Sequence, residues 1–142
     1  MKVLIILYFG ILIILVGCSK KAAPVSITAF STEAFAYGIG DSSEIDASTR
    51  VKGFQQDQKN NMFVSTFSYD IDLITPKGDT VKSIFSRVVD KSSKEKLSDT
   101  QLDVQFNVGP SFIKGKYKLV FWIKDALSGA STSANANFDL GN

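Results

Sequence analysis

Apolar and polar residues alternate along several segments of the chain, and this period of two restricts the fold more than any other feature. Over residues 62–73 most odd positions carry large apolar side chains, while the even positions from Thr66 onward are polar. Successive side chains of a strand point to opposite faces, so the pattern predicts a strand with one buried face. Its aromatic and β-branched residues favour the same assignment.

Further strand signals surround this segment, and no region after residue 24 shows a sustained helical period. Clear alternation recurs over 101–108, 116–124 and 134–140, and weaker strand signals cover 25–30, 35–39, 50–55 and 80–89. Turn residues separate them, as in 75–79, where Pro76 and Gly78 suit a tight turn, and the polar stretch 56–61 is predicted to be a loop. The sequence predicts an all-β fold, a single antiparallel β-sandwich of about seven strands over residues 25–142.

An apolar segment precedes this domain. Lys2 is followed by the uncharged residues 3–16, a run shorter than the about 20 residues that a membrane-spanning helix needs. A charged start, an apolar helix of this length and a small residue, here Gly17, are typical of a signal peptide, which we predict over residues 1–17. An uncleaved N-terminal anchor helix is the alternative, and both interpretations place the remaining chain outside the cytoplasm.

The stretch Leu15-Val16-Gly17-Cys18 resembles the lipobox of bacterial lipoproteins at every position. The resemblance implies that the Cys18 thiol receives a diacylglycerol and that the chain is cut before it. Residues 18–24 then form the lipidated cysteine and a short tether. Ser19 stands where many inner-membrane lipoproteins of Gram-negative bacteria carry Asp, so the resemblance also implies the outer membrane.

The segment Gly115-Lys116-Tyr117-Lys118-Leu119 resembles the start of strand F in immunoglobulin-like and fibronectin III-like domains. In those domains a Tyr hydrogen-bonds the preceding corner and the residue two positions later faces the core. The chain departs from antibody domains because it has no cysteine pair and no Trp in the earlier central strand. The resemblance implies binding, adhesion or assembly more often than catalysis.

Composition excludes several function classes. The chain has no His and one Cys, so it has no Ser-His-Asp triad, no Cys-His dyad, no His-ligated metal and no internal disulfide. Its net charge of +2 is too small for a protein that binds nucleic acid through a basic stripe. No phosphate-binding glycine loop or nucleophile elbow is present. We expect neither an enzyme nor a cofactor.

Trp122 is the main candidate for a binding residue. A regular strand over 116–124 directs Trp122 and Val120 outward beside three Lys side chains, where an indole can anchor a partner or stack on a sugar. A covering loop is the alternative. Carbohydrate binding through aromatics such as Trp122, Phe54 and Tyr37 is a further hypothesis, which coplanar exposed rings on one face would support and inward-facing rings would remove.

Two groups of carboxylates are weaker candidates. Asp41, Glu44 and Asp46 follow Gly40 in a predicted loop, where their oxygens could hold Ca²⁺, although an EF-hand pattern is missing and a solvated loop is the favoured interpretation. Asp70 and Asp72 share the outward face of one strand, an arrangement that serves acid–base chemistry only within a cleft. No metal site and no catalytic residue is therefore assigned.

Together these features predict an exported lipoprotein held in the bacterial cell envelope by its lipid anchor. Its domain is expected to act as a non-catalytic binding or assembly module with an envelope protein or glycan as partner. A carbohydrate-binding module is the first alternative, and an envelope hydrolase is the second. Attachment of a partner strand to a sheet edge is one route by which such a module can assemble.

Overall fold

The computed structural model describes residues 23–141, and these form an all-β fold without helix. The predicted signal peptide, Cys18 and most of the tether lie outside the described residues. Eight strands follow one another: β1 Thr28–Ile39, β2 Ser42–Lys52, β3 Asp57–Lys59, β4 Met62–Ile74, β5 Thr80–Ser93, β6 Asp99–Val108, β7 Gly115–Asp125 and β8 Ser131–Leu140. Between residues 23 and 141 no helical segment has the length and hydropathy needed to cross a bilayer.

The strands form two antiparallel sheets, as predicted. The small sheet has the order β1-β2-β6, and the large sheet contains β3, β4, β5, β7 and β8. Strand β4 is central in the large sheet, with β5 on one side and β7 followed by β8 on the other. Because β2 pairs with β6 across the intervening strands of the other sheet, the chain crosses between sheets in a Greek-key manner.

The inner faces of the two sheets supply the core, which gives the fold its stability. The alternating segments predicted from the sequence place their apolar residues there. The fully buried large side chains include Phe67, Tyr69, Ile71 and Leu73 on β4, Leu119 and Phe121 on β7, and Ile45 and Leu102 from the small sheet. Burying one aromatic ring removes about 150–250 Å² from water, so these residues dominate the packing energy.

Two turns show how local chemistry sets the strand register. The predicted turn at 75–79 is confirmed: Gly78 has φ of +90° and its N–H donates to the Thr75 carbonyl at 2.9 Å. The stretch 56–61, predicted as a loop, instead contains β3 and a two-residue hairpin to β4. Asn60 and Asn61 both have positive φ, as a type I′ hairpin turn requires, and Asn tolerates that conformation.

Strand β1 differs most from its prediction. The sequence predicts two short strands, 25–30 and 35–39. Instead one strand runs from Thr28 to Ile39 and pairs with β2 on both sides of a bulge. A bulge interrupts the pairing between Phe30 and Glu33, and Ser31 there has φ of +49°. A bulge changes which side chains face the core, and it therefore hides a continuous strand from a periodicity argument.

Candidate functional site

Trp122 lies on the outer face of the large sheet, half exposed, with the partly buried Val120 beside it on the same strand. The indole is 50% exposed on the outer face of the sheet, where the alternation of β7 places it. The indole Nε1–H donates to Oδ2 of Asp72 at 2.9 Å, across the pairing of β7 with β4. The hydrogen bond restricts the orientation of the ring, which remains half exposed.

Asp72 is the polar centre of that face. Its carboxylate accepts the Ser83 N–H at 2.9 Å and the Lys82 ammonium at 3.4 Å in addition to the indole, and its side chain is almost fully buried. The backbone N–H of Ser83 is the main cause that holds the pKa of Asp72 below its ordinary value, and the bonds from Trp122 and Lys82 act in the same direction. Ser83 itself has φ of +48° at the β5 bulge.

Asp70 and Asp72 do share one face of β4, but each already has partners within the protein. Asp70 pairs with Trp122 and Ser86 across the two neighbouring strands, and the Ser86 hydroxyl donates to its carboxylate. Both carboxylates therefore tie strands together.

The outer face of the small sheet carries a second arrangement, which we name the acidic–aromatic face. Its apolar column consists of Phe35, Tyr37 and Ile39 on β1, exposed to 51%, 52% and 52%. Neighbouring strands complete cross-strand rows: Glu33–Ser48–Asp103, Phe35–Asp46–Gln105 and Tyr37–Glu44–Asn107. Rows lie about 6.6 Å apart along the strands, and strands about 4.8 Å apart.

A shallow concavity of about 340 Å³ lies within this face, lined in part by Glu33, Phe35, Asp46 and Asp103. Gln101 donates to the Asp103 carboxylate at 2.7 Å, and the Ser48 hydroxyl donates to Glu33 at 3.4 Å. Over residues 23–141 the ion pairs are Arg50–Asp99 and Lys82–Asp72, so Glu33, Asp46 and Asp103 have no basic partner at salt-bridge distance, and Arg50 in the next row of this face is paired with Asp99. The face presents apolar rings beside uncompensated negative charge.

The three rings proposed as a carbohydrate platform do not come together. Phe54 is buried and meets Phe67 edge to face at 5.0 Å between ring centroids. Tyr37 lies on the outer face of the small sheet and Trp122 on the outer face of the large sheet. The single-platform hypothesis is therefore wrong, because one ring packs into the core and the other two lie on different sheets.

The segment from Asp41 to Asp46 is not the predicted loop. Asp41 belongs to the tight turn between β1 and β2, whereas Glu44 and Asp46 are strand residues on either side of the buried Ile45. Across the described part of the chain, no three Asp, Glu, His or Cys side chains gather closely enough to hold a metal ion.

The corner before β7 has the expected hydrogen bond. The Tyr117 hydroxyl donates to the backbone carbonyl of Ile113, four residues upstream, at 2.7 Å. Burial raises the pKa of Tyr117, and Leu119, two positions later, is fully buried. The local geometry therefore matches the description of a tyrosine corner.

Sequence reasoning missed Phe35 and its neighbours as surface residues. On β1 the small residues Ala34 and Ala36 point inward, and the large apolar ones point outward. A rule that assigns larger apolar residues to the core predicts the opposite. The usable signal is the polar residue Glu33, which shares the face of Phe35 and Tyr37.

No protein-family model and no curated protein matches the chain. A family 123 glycoside hydrolase from Clostridium perfringens, described in work on glycolipid glycan hydrolysis, is similar at 10% identity and a TM-score of 0.49, over 78% of this chain and 22% of the hydrolase. The N-terminal domain of PorA is similar at 10% identity and a TM-score of 0.43, over 80% of this chain and 96% of that domain. The chain spans about a fifth of the hydrolase. Similarity at this level says nothing of what the chain binds or catalyses.

Proposed function

We propose that the chain is an exported bacterial lipoprotein, anchored through Cys18, whose β-sandwich is a non-catalytic binding or assembly module of the cell envelope. The anchor rests on the lipobox at 15–18, and Ser19 favours the outer membrane. The binding role rests on one observation, the exposed apolar column of the acidic–aromatic face. No observation on the described residues favours the envelope hydrolase.

The apolar column has the composition of an interaction surface. Phe35, Tyr37 and Ile39 follow one another on one face, each about half exposed, with polar residues around them. Contiguous apolar patches with a polar rim mark protein or ligand contacts, and aromatic residues supply much of the energy in such contacts. Trp122 with Val120 on the other sheet is a smaller patch, because the indole N–H is already bound by Asp72.

The charge of this face indicates the chemistry of the partner. Glu33, Glu44, Asp46 and Asp103 surround the column, and none has a Lys or Arg partner within the salt-bridge distance. Lys and Arg side chains suit such a surface, because their apolar stems pack on rings while their charged ends pair with carboxylates. The partner we propose is an envelope protein that presents basic side chains.

Strand order supports an immunoglobulin-like assignment of the domain. In immunoglobulin nomenclature the small sheet β1-β2-β6 corresponds to strands A, B and E. In the large sheet β5, β4, β7 and β8 correspond to strands C′, C, F and G, and the short β3 has no counterpart in this naming. Strand F then begins at the tyrosine corner of Tyr117. Domains of this architecture commonly serve binding and assembly.

Partner capture from detergent-solubilised envelope tests the binding face. The native protein should retain a partner that is lost from the Tyr37→Ala and Asp46→Lys variants and kept by Ile113→Ala, a matched change at an exposed apolar loop residue. Truncation of a central aromatic contact typically costs 2 kcal/mol or more, which is about a thirty-fold loss of affinity. Loss of the partner in Trp122→Ala alone would assign binding to the large sheet instead.

A glycan is the alternative partner, favoured by two rings on one face beside amides. Phe35 and Tyr37 share cross-strand rows with Gln105 and Asn107, which lie two strands away on β6, and such rings and amides can stack on sugars and bind their hydroxyls. Retention on insoluble neutral polysaccharide, lost in Tyr37→Ala but unchanged in 1 M NaCl, would establish it. A basic protein partner should instead be released by salt.

Mass spectrometry of the native protein tests the anchor. We expect Cys18 as the first residue, with diacylglycerol on its sulfur and residues 1–17 absent. A Cys18→Ser variant should retain its leader and lack the fatty-acid mass. An unmodified Cys18 in the native protein would refute the lipoprotein proposal.

A further inference from the structure

The outer face of β7 carries lysines on both sides of Trp122. The residues of the strand that point to this face are Lys116, Lys118, Val120, Trp122 and Lys124, and all of them except Val120 are exposed. Along the strand, the Cα atoms of Lys118 and Lys124 are about 20 Å apart, and Trp122 lies between them. We call these five residues the lysine–tryptophan row.

The neighbouring strand β8 is almost free of charge beside this row. Four exposed polar residues stand opposite the stretch from Lys118 to Lys124, namely Asn137, Asn135, Ser133 and Ser131. Amides and hydroxyls both donate and accept hydrogen bonds. Within residues 23–141 neither Lys118 nor Lys124 has a carboxylate at salt-bridge distance. Both ammonium groups are therefore available to an anionic ligand.

The nearest carboxylates lie on β4, on the other side of β7. Asp72 is almost fully buried, pairs with Lys82 and accepts the indole N–H. Asp70 stands opposite Trp122 and accepts the Ser86 hydroxyl. A ligand that follows β7 and β8 therefore meets the lysines and the polar residues of β8, and these two carboxylates lie to one side of its path.

The chemistry of Trp122 indicates what kind of anion fits. The indole nitrogen is the only polar atom of the ring, and its hydrogen is already donated to Asp72, so the half-exposed ring offers carbon surface to a ligand. A sugar ring can pack its C–H face on such a surface while its hydroxyls bond the surrounding polar groups. Protein contacts instead favour broader apolar patches and are depleted in Lys and Ser.

We propose that the lysine–tryptophan row binds an acidic polysaccharide, whose chain lies along β7 and β8. One sugar ring stacks on Trp122, and its hydroxyls bond Ser133 and Asn135. Carboxylates of neighbouring sugars pair with Lys124 and Lys118. The site lies on the opposite sheet from the acidic–aromatic face, whose carboxylates repel such a polymer, and the proposal does not depend on that face.

A recess at one end of the row gives the polymer further room. It has a volume of about 430 Å³ and is lined in part by Pro76, Lys116, Lys118 and Asn137. Two lysines and an amide thus border a space beyond the stacking position. An extended chain that reaches from Trp122 past Lys118 enters this recess.

Titration calorimetry of the full-length protein in neutral detergent micelles tests the ligand class. The probe is polygalacturonate, dextran is the uncharged sugar polymer, and polyphosphate supplies charge without sugar rings. We expect saturable binding of polygalacturonate that weakens as NaCl is added, weaker binding of polyphosphate and no binding of dextran. No saturable binding of polygalacturonate, or equal binding of either other polymer, would overturn the proposal.

Charge-matched variants test the position of the site. The double change Lys118→Gln and Lys124→Gln should weaken binding of polygalacturonate about ten-fold, because two charge-assisted contacts are lost. The changes Lys94→Gln and Lys96→Gln remove the same charge from exposed residues between β5 and β6 and should leave the affinity unchanged. Equal weakening by both pairs would show a general effect of net charge and overturn the proposal.

The stacking contact is tested at Trp122. Trp122→Ala should weaken binding about ten-fold, as expected for a central aromatic contact, whereas Trp122→Phe keeps a ring and should retain most of the affinity. Both variants lose the hydrogen bond to Asp72, so their difference reports the ring, and circular dichroism checks that each is folded. Tyr37→Ala, on the other sheet, should bind polygalacturonate like the native protein. Unchanged affinity in Trp122→Ala, or lost affinity in Tyr37→Ala, would overturn the proposal.

Discussion

Asp125 gives the sharpest test of how the sandwich is held together. It is the last residue of β7 and is fully buried. Its carboxylate accepts the Gln55 N–H at 2.8 Å, the Leu127 N–H at 3.0 Å and the Ser128 hydroxyl at 2.6 Å. One side chain thus joins the segment after β2 to the turn between β7 and β8.

The Asp125→Ala change removes the acceptor for the backbone N–H groups of Gln55, Leu127 and Ser128 and for the Ser128 hydroxyl. A buried donor left without a partner costs about 1–3 kcal/mol, and hydrogen bonds to charged groups lie in the upper part of that range. Gln55 and Leu127 are only half-buried, so water can recover part of the cost, and the carboxylate no longer needs to be desolvated. We therefore expect a loss of about 3 kcal/mol in the free energy of unfolding.

Asp125→Asn separates the hydrogen bonds from the rest of the side chain. One oxygen remains as an acceptor, while the new NH₂ group faces a donor, so the expected loss is about 1–2 kcal/mol. Asp139→Ala, at an exposed position on β8, is the matched control and should change stability by less than about 0.5 kcal/mol. Stability should decrease from the Asp139→Ala control to Asp125→Asn and then to Asp125→Ala.

Urea denaturation followed by the fluorescence of Trp122, the only Trp, measures these differences. The variants should differ in the urea concentration at the midpoint of unfolding, while the slope of the unfolding free energy against urea concentration should stay the same. An Asp125→Ala protein as stable as the control would refute this expectation, because it would show that the carboxylate does not stabilise the two connections.

Three further predictions concern pH and backbone conformation. Because the pKa of Asp72 is lowered in the folded protein, its carboxylate adds stability that is present at neutral pH and lost as pH falls below about 4. An acid titration followed by Trp122 fluorescence should show this loss in the native protein but not in the Asp72→Asn variant. Burial raises the pKa of Tyr69, so the stability that its protonated hydroxyl adds to the fold should be lost as pH rises above about 10. The Tyr69→Phe variant should lack this alkaline loss of stability. At pH 7 it should lower the free energy of unfolding by about 1 kcal/mol, as measured by urea denaturation, because the hydrogen bond to the Asp103 carbonyl is removed. The Gly53→Ala change should lower the free energy of unfolding by about 1–3 kcal/mol, because φ is +78° there and the added Cβ would clash with the Ser26 carbonyl. In thermal melts the control Gly78→Ala, whose added Cβ meets open space, should lower stability less.

Strand positions in the large sheet are predictable because burial is one-sided there. On β4 and β7 most large apolar residues point inward and most polar residues point outward, with Trp122 as the main exception, so the period of two reports the face directly. The turn at Gly78 is predictable for a different reason, since Pro and Gly restrict the backbone locally.

The small sheet and the candidate site are harder to predict. On β1 the inward residues are Ala34 and Ala36 while Phe35, Tyr37 and Ile39 point outward, so size gives the wrong face. The acidic–aromatic face also depends on register between strands far apart in sequence, such as Asp46 opposite Gln105. No local pattern encodes that pairing.

The direction of β1 decides what a tethered copy of this domain can touch. The strand begins at Thr28, and its far end at Ile39 is about 36 Å away. If the proposed anchor at Cys18 is present, the chain enters the domain at the end of β1 that is remote from Phe35 and Tyr37. A partner could then reach the two rings from the side of the domain opposite to the attachment point.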